Sequence, residues 1–593
     1  MPSRRHTVRL AVLLILAGMA LHAHSVGWGF LYDDFMHQAL LRYRDRFPEV
    51  CSWNLYDYGV RPEPGDSLYQ AGLYPWWTAG DFRVRFLRPV ASLSIMLDHA
   101  LYRSWSPGYH LTNLLVFGAF LALAFRMFRT FGVSHRAALW ALAFLACEDV
   151  FALPVGWIAN RNALLAGTFS LASLLAVRRY RFCGCRGALV LAIGLFMLAC
   201  GSKESGLMTL PLVGFYLLLI ERGKNDESLL QGCVRVLRCG TLWLFTAAAV
   251  LYLAAYSVAG YGTTSRLYTT LWGEPIVYLK RLVVLVPVAL TGLFFGVPAD
   301  MVFTRPQAAL LILGLGVPAL ALLLLLLRRV LRGSRPAWFA AVWALLALVP
   351  VAGVTTGDRL LVNACVGTSL LLGLLVDGLG GIRASLGNRR YGRLAIVMFF
   401  VLTGIVFSAP MVRLRGGLFM KLAGHDRAAI ANAEIDPASP DPGAVFVLSV
   451  PGAFFALTLL PTWTVIHDDP SRTISYLQMG RRPMELQREG ESTLIVSYGE
   501  PGLLSNRYEM LFCTAPEPLA PGTVFETVEY EATVIDVGPT GILSVRLDFK
   551  RSLDDKAYTF MAWREGRLRR VSMPADGATL ELEAAVPAVS YAP

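Results

Sequence analysis

The sequence predicts an α-helical polytopic membrane protein with a soluble β-rich domain at its C-terminal end. Three observations carry this. Of 593 residues, 55% are hydrophobic and only 16% charged, where soluble domains carry about 25% charged residues, and mean hydropathy is +0.52. The apolar residues are gathered into blocks. From about residue 413 the blocks stop, and charged residues and short β-type runs take over.

The apolar blocks are 10–21, 111–125, 137–147, 162–177, 188–200, 206–220, 241–256, 282–298, 308–327, 337–352, 360–376 and 394–410. Each is near bilayer length, some needing flanking residues to reach roughly 20. The count implies about 11–12 transmembrane segments.

The formal net charge of +12 has an explanation other than nucleic acid. Basic residues cluster in short loops: Arg4/Arg5/Arg9, Arg126/Arg129/Arg136, Arg178/Arg179/Arg181/Arg186, Arg222/Lys224/Arg235/Arg238, Arg328/Arg329/Arg332/Arg335 and Arg383/Arg389/Arg390/Arg393. That is the positive-inside pattern, and a nucleic-acid partner is not expected. The Arg-rich start and the apolar stretch behind it resemble a signal peptide. The chain stays apolar or aromatic to Phe30 and further spans follow, so an uncleaved first span is expected.

With the N-terminus inside, residues 31–86 form the first external loop. Leu87, Val90, Leu93, Met96, Leu97 and Leu101 within 87–105 have the spacing of an amphipathic interfacial helix. Alternation then places 154–162, 201–205 and 259–281 outside. If 282–298 crosses, the Arg328–Arg335 and Arg383–Arg393 clusters fall outside, against the charge rule. If it is re-entrant, both fall inside. Pro287, Pro298 and the glycines suit a broken segment, which is tolerated where it is buried in protein. The expectation is therefore eleven crossings plus one re-entrant segment. A transmembrane domain 1–412 includes loop 31–86, and a domain 413–593 lies outside. In the latter, Val445–Val450, Thr493–Ser497, Thr523–Val537, Ile542–Phe549 and Tyr558–Trp563 read as strands, parted by turns such as Asp436-Pro-Ala-Ser-Pro and Gly538-Pro-Thr-Gly. Nine scattered cysteines form no zinc pattern. Cys51 and Cys513 share the oxidising side, which leaves a disulfide between them open.

Few ionisable residues sit at the outer ends of the spans. They are Asp33 and Asp34 after the first span, Arg161 in Trp157-Ile-Ala-Asn-Arg161, Lys203-Glu204, Asp358-Arg359, and His110 with Asn113 at the start of the second span. A lone Arg or Lys at a span end often only snorkels to headgroups, and an acidic pair in isolation is usually a solvated loop. Here all map to one face, and ionisable groups at membrane depth are functional candidates. They suit transfer from a lipid-linked phosphate donor. Arg161, Lys203 and Arg359 would neutralise the phosphate and the charge that grows on it as it departs. A carboxylate would take the proton of an attacking hydroxyl, and two adjacent carboxylates allow a division of labour. The sequence has no Walker A loop, H-E-x-x-H, G-x-S-x-G or D-x-D motif.

The segments Phe30-Leu-Tyr-Asp33-Asp34-Phe, Arg85-Phe-Leu-Arg88-Pro89-Val and Pro107-Gly-Tyr-His110-Leu-Thr-Asn113-Leu-Leu resemble the integral membrane glycosyltransferases of the GT-C fold. The likeness is to the protein O-mannosyltransferase-like group with C-terminal tetratricopeptide repeats and its bacterial relatives. Gly156-Trp-Ile-Ala-Asn-Arg161-Asn-Ala-Leu-Leu, Ser202-Lys203-Glu204 and Asp358-Arg359-Leu follow in the group's order, so the resemblance covers about residues 25–375. It implies a polyprenyl-phosphate sugar donor, an extracytoplasmic active site, usually no metal, and a catalytic carboxylate from the first external loop. Carried over, Asp33 is the base and Asp34 positions donor or acceptor. Arg88 and His110 would brace the loop, with Asn113, Glu204 and Asp358 supporting. The chain departs from the group in Asp358-Arg359-Leu-Leu, where the group often has Glu-Arg and an aromatic, and in lacking the repeat pattern.

The expectation is a membrane glycosyltransferase, with no cofactor beyond its lipid-linked donor, acting on a protein, glycan or lipid acceptor outside a bacterial inner membrane. The alternatives are a transporter or flippase of lipid-linked sugars, which predicts mid-membrane polar residues and paired half-repeats, and a membrane assembly factor working through its β domain.

Overall fold

The computed structural model describes all residues except 1–3, 52, 61–65, 222–227, 305–306, 355–356, 381–388, 436–442, 515–518 and 587–593. Arg222, Lys224 and Arg383 of the basic clusters, and the turn expected at 436–440, lie outside the described residues. The chain divides into two compact units. One is Met1–Gly29, Leu87–Gly260 and Thr269–Leu418, and the other is Phe30–Phe86, Tyr261–Tyr268 and Phe419–Pro593. The loop 31–86, grouped with the helices by sequence, therefore belongs with the C-terminal region, and the boundary falls inside the helix Ser408–Ala431 rather than at 412.

The first unit is helical, and every apolar block forms helix. Eight helices among the described residues are long and apolar enough to cross a bilayer, or nine if the bent pair His135–Cys147 and Asp149–Gly156 is one span. This is fewer than the 11–12 expected, because other blocks are short or broken. Arg186–Ser202 has 17 residues, and Glu204–Ile220 passes from 3-10 to α to π geometry. A packed interior includes Phe117, Phe120, Phe128, Phe144, Phe151 and Phe196, each at most 1% exposed. Helix Val362–Gly380 presses its glycines onto two neighbours. A Cβ on Gly367 would stand 2.4 Å from Ala340 O, and one on Gly373 2.5 Å from Ala137 O. Such small-residue contact is how membrane helices gain packing where lipid removes the hydrophobic drive.

Helix Pro89–Tyr102 is the amphipathic element expected at 87–105. Leu93, Leu97 and Leu101, four residues apart, are exposed along one face, while Ser92, Ile95 and Asp98 are buried. The segment read as broken at 282–298 is one helix, Pro275–Phe295, with Pro287 inside it. Both of its flanks return to one stretch of chain. Before it, Thr269 N donates to Gly353 O at 3.0 Å, and Tyr278 Oη donates to Val349 O at 2.5 Å. After it, Ala299 N donates to Asp358 Oδ1 at 3.0 Å. Between them, Phe295 stacks on Phe400 with ring centroids 6.3 Å apart. In the terminal helical run Phe400 lies 15 residues, about 22 Å of helix rise, before Arg415, the partner of Asp300. Pro275–Phe295 is one of the eight helices long and apolar enough to cross a bilayer, and it carries no break inside it.

The second unit holds two larger sheets. One runs Thr579–Leu582, Met484–Glu489, Thr493–Tyr498, Gly541–Phe549, Tyr530–Gly538, Val524–Glu526, antiparallel throughout. Burial alternates strictly along Met484–Glu489, as a half-buried strand requires. The other runs Arg567–Arg570, Tyr558–Arg564, Ala444–Val447, Thr473–Tyr476, with two parallel pairs. The parallel link from Ala444–Val447 to Thr473–Tyr476 is made by helix Ala453–His467, an apolar stretch that sequence reasoning passed over. From the first external loop come helix Asp33–Arg42 and strands Asp57–Val60 and Arg83–Arg85, which form a small sheet with Gly262–Thr264. Cys51 and Cys513 are both free thiols, so the disulfide left open by the sequence does not form.

Candidate functional site

Three charged clusters in the helical unit and one acidic turn in the second unit account for most of the residues singled out by sequence. Arg161 is the first correction. It opens helix Arg161–Cys183 and is 0% exposed. Its Nη2 meets Asp98 Oδ2 at 2.5 Å and donates to Tyr109 O at 2.8 Å, and its Nε donates to Asn113 Oδ1. Asn113 Nδ2 in turn donates to Val155 O at 2.9 Å. A guanidinium saturated this way inside protein has no donors left for a substrate, and burial is tolerable only because Asp98 pairs it. Asn113 belongs to the same brace. His110, also buried, lies with Nε2 3.0 Å from Gly29 O, tying the end of the first span to helix Ser106–Thr130. These three residues hold helices together.

Lys203 and Arg359 do come together, with Arg88 and Glu204. Lys203 ends helix Arg186–Ser202 with extended backbone, and Glu204 starts the next turn. Arg88 grips Glu204 through Nη2 at 2.7 Å and Nε at 3.2 Å to both oxygens. The Arg359 guanidinium lies 4.9 Å above the Trp157 ring, a cation–π contact that orients a planar cation without consuming its N–H groups. Burial lowers the Lys203 ammonium to about 7, and the charges of Arg88 and Arg359 push the same way, against Glu204. The cluster holds three cations and one carboxylate, and its surplus of positive charge is what an anionic ligand would complete.

Asp358, next to Arg359, faces a different group. Arg415 is bound by Asp149 Oδ2 at 2.6 Å, Asp300 Oδ2 at 2.6 Å and Asp358 Oδ2. Asp300 Oδ1 also accepts the Asp358 N–H at 3.0 Å. Glu148 is buried beside Asp149. Burial pushes the Asp358 carboxyl up to about 7, against the pull of Arg415. This latch joins the chain just after helix Pro275–Phe295, the turn Asp358–Leu360 and helix Ser408–Ala431. Among the described residues no three His, Cys, Asp or Glu side chains are arranged to hold a metal ion. An apolar cavity of about 540 Å³ lies beside helix Pro275–Phe295, lined by Thr291, Phe295, Val297, Leu323 and Phe399.

In the second unit, Asp33 and Asp34 form the first turn of helix Asp33–Arg42. The two are not equivalent. Asp34 is 1% exposed and its Oδ2 accepts the Leu31 N–H at 2.9 Å. Asp33 is partly exposed. Tyr32 before them has φ +43° and ψ −110°, a conformation rare for any residue but glycine. Its hydroxyl donates to Asp426 Oδ2 at 3.2 Å. Sequence reasoning missed Asp98, Asp149, Asp300, Arg415, Trp157 and Asp426 as partners.

No protein-family model matches the chain. In sequence it is 22% identical over 243 residues to a protein O-mannosyl-transferase, F38B6.6, of Caenorhabditis elegans, covering 39% of this chain and 31% of that protein. Among solved structures, the backbone overlaps the oligosaccharyltransferase of Archaeoglobus fulgidus, crystallised with a tethered acceptor peptide. The TM-score is 0.45 and the identity 14%, over 80% of this chain and 64% of that one. It overlaps ArnT of Cupriavidus metallidurans bound to undecaprenyl phosphate with TM-score 0.36 and 15% identity, over 79% and 89%. The chain spans about a third of the length of the curated relative and under two thirds of the archaeal chain. In sequence, then, the chain is similar over part of its length to a protein O-mannosyl-transferase.

Proposed function

We propose that the chain is a membrane glycosyltransferase of the GT-C type that moves a sugar from a polyprenyl-phosphate donor to an acceptor hydroxyl on the extracytoplasmic side. The observation that carries this is the cluster in which the charges of Arg88 and Arg359 act on Lys203 while Arg88 is bound to Glu204. A donor phosphate matches that charge, and the phosphate charge that grows as the sugar leaves is what the cations stabilise. The apolar cavity beside helix Pro275–Phe295 offers room for part of a prenyl chain.

Asp33 is the general base. The acceptor oxygen attacks the anomeric carbon and a new C–O bond forms. The bond from that carbon to the phosphate oxygen breaks, and its electron pair leaves with the phosphate. The acceptor proton passes to the Asp33 carboxylate. Asp34 holds the turn that presents Asp33. Sidedness is supported by the second unit. Its three chain segments form one folded body, so they share one side of the bilayer, and the positive-inside pattern puts that side opposite the Arg clusters.

The test is transfer from radiolabelled polyprenyl-phosphate sugars in membranes of cells expressing the full chain. Lys203→Ala and Arg359→Ala should raise the donor KM, and Asp33→Asn should lower kcat. Wild-type rates in all three variants would overturn the reading.

A further inference from the structure

The second unit carries a set of aromatic rings that its own core does not need. Tyr32 packs on Phe419 with centroids 5.3 Å apart and on Phe454 at 5.2 Å, and Phe454 packs on Tyr508 at 5.0 Å. Tyr32 is 5% exposed. Phe419, Phe454 and Tyr508 all remain partly exposed. Three rings left in part to solvent around a buried fourth are unusual in a unit whose sheets bury Phe446, Phe549 and Phe560 almost entirely.

Polar groups stand around these rings. The Tyr32 hydroxyl is held by Asp426. Asp426 lies within electrostatic reach of Arg481, which is exposed and anchored by an Nε–H donated to Pro451 O. Asp33 follows Tyr32 directly. The Tyr32 backbone at φ +43° is strained for a side chain with a Cβ, and such outliers gather at functional sites. The strain sets the ring among its aromatic neighbours while the next residue starts the helix that bears Asp33.

We propose that Tyr32, Phe419, Phe454 and Tyr508, with Asp426 and Arg481, form the acceptor subsite, and that its ligand is a hydroxylated sugar ring. This deepens the glycosyltransferase reading above and rests on it for the word acceptor. A pyranose presents an apolar C–H face and a rim of hydroxyls. Aromatic rings cover the first, and a few placed carboxylate and guanidinium groups hydrogen-bond the second. An extended peptide would instead call for open strand edges. The edge of the four-stranded sheet at Thr473–Tyr476 is taken: Ile474 N donates to Ala71 O and Thr473 Oγ1 to Gln70 O, both at 3.0 Å. The aromatic faces with their polar rim therefore point to a glycan or the sugar of a glycolipid, and a polypeptide segment is the outcome that the peptide probe tests.

The test uses the full chain in lipid nanodiscs without donor. The probes are methyl α-mannoside, β-glucoside and β-galactoside, and a serine- and threonine-containing heptapeptide. Saturation-transfer NMR should mark the ring protons of at least one glycoside. The signal should fall at least fivefold in Phe454→Ala and in Arg481→Gln. Arg481 is exposed, so the thermal midpoint of its variant should match wild type and separate loss of binding from loss of fold. Undiminished glycoside signals in both variants would overturn the proposal. So would a peptide signal that both variants abolish, with none on the glycosides. Glycoside binding that behaves as expected in a chain that transfers no sugar from polyprenyl phosphates would overturn the proposed function and leave the subsite standing.

Discussion

Lys203 should make donor binding depend on pH in a way that a permanently charged site would not. Its ammonium is held down to about 7 by burial and by Arg88 and Arg359. A polyprenyl-phosphate sugar is a phosphodiester with one negative charge and no titration near neutrality, and no histidine belongs to the cluster. Binding the phosphate requires the charged Lys203, so the donor must draw a proton onto it. With a free-state value of about 7, Lys203 is about nine-tenths charged at pH 6 and about one-tenth at pH 8. Donor affinity should therefore fall about tenfold between those values, about 1.4 kcal/mol. The stability linkage has a definite sign. The folded value lies below the unfolded 10.5, so the unfolded chain binds more protons between about 7 and 10.5, and the free protein gains stability as pH rises through that window. Donor protection against unfolding should be greatest at its low end. Lys203→Arg keeps the charge at every pH used and should flatten the affinity profile. The assay is equilibrium binding of a short-chain prenyl-phosphate sugar to detergent-solubilised protein from pH 6 to 9. A flat wild-type profile, or an equal slope in Lys203→Arg, would refute the reasoning.

Four further outcomes are expected. Asp33→Asn should cut transfer by about 10²–10⁴-fold with the thermal midpoint unchanged, whereas Asp34→Ala should cost about 1–3 kcal/mol of stability by orphaning the Leu31 N–H, read as a lower midpoint. Arg415→Met leaves Asp149, Asp300 and Asp358 without their cation and should destabilise by about 3–5 kcal/mol. In thermal scans the deficit should narrow as pH falls towards about 7, because without the pull of Arg415 the Asp358 carboxyl takes its proton at higher pH than in the wild type. Arg161→Met should reduce the yield of folded protein because it strands Asp98, while whatever folds keeps the wild-type donor KM; a raised KM in that fraction would return Arg161 to the donor site. A membrane-impermeant maleimide on intact cells should label the exposed Cys51 at once, and Cys183 and Cys185 only after permeabilisation, since the last two stand among the basic residues assigned inside.

The helical class was legible because lipid allows few alternatives: an apolar block of bilayer length must close its backbone hydrogen bonds within itself. The strands were legible in part: Thr493–Tyr498 and Gly541–Phe549 lie where strands are expected, while Met484–Glu489, whose burial alternates strictly, was passed over. What sequence hid is the partnership between distant segments. The loop 31–86 is polar and follows a span, so it reads as an appendage of the helices. Its helix Asp33–Arg42 and strand Arg83–Arg85 are instead parts of a body completed by residues from 261 onward. Helix Ala453–His467 was passed over because it bridges two parallel strands of a soluble sheet, where an apolar run of 15 residues is a packing element rather than a span.

The site was legible by half, and the half that failed has a physical cause. Arg161, Lys203 and Arg359 look alike in sequence, each a lone cation at a span end. They differ in whether a carboxylate from another segment neutralises them. Asp98 sits on the interfacial helix among apolar residues, where its burial at position 98 beside the exposed Leu97 follows from the helical period. A carboxylate on the inward face of an amphipathic helix must find a cation, and Arg161 is the cation it finds. Arg415 had the opposite signal. It follows the last apolar block on the side where the charge rule wants no arginine, while Asp149, Asp300 and Asp358 stand in three loops without a basic neighbour that could pair all of them. A cation where the rule forbids one, and acids with no cation to hand, are two halves of one buried ion cluster. Lys203 and Arg359 remain candidates for the donor phosphate: the carboxylate that acts on Lys203, Glu204, is held by Arg88.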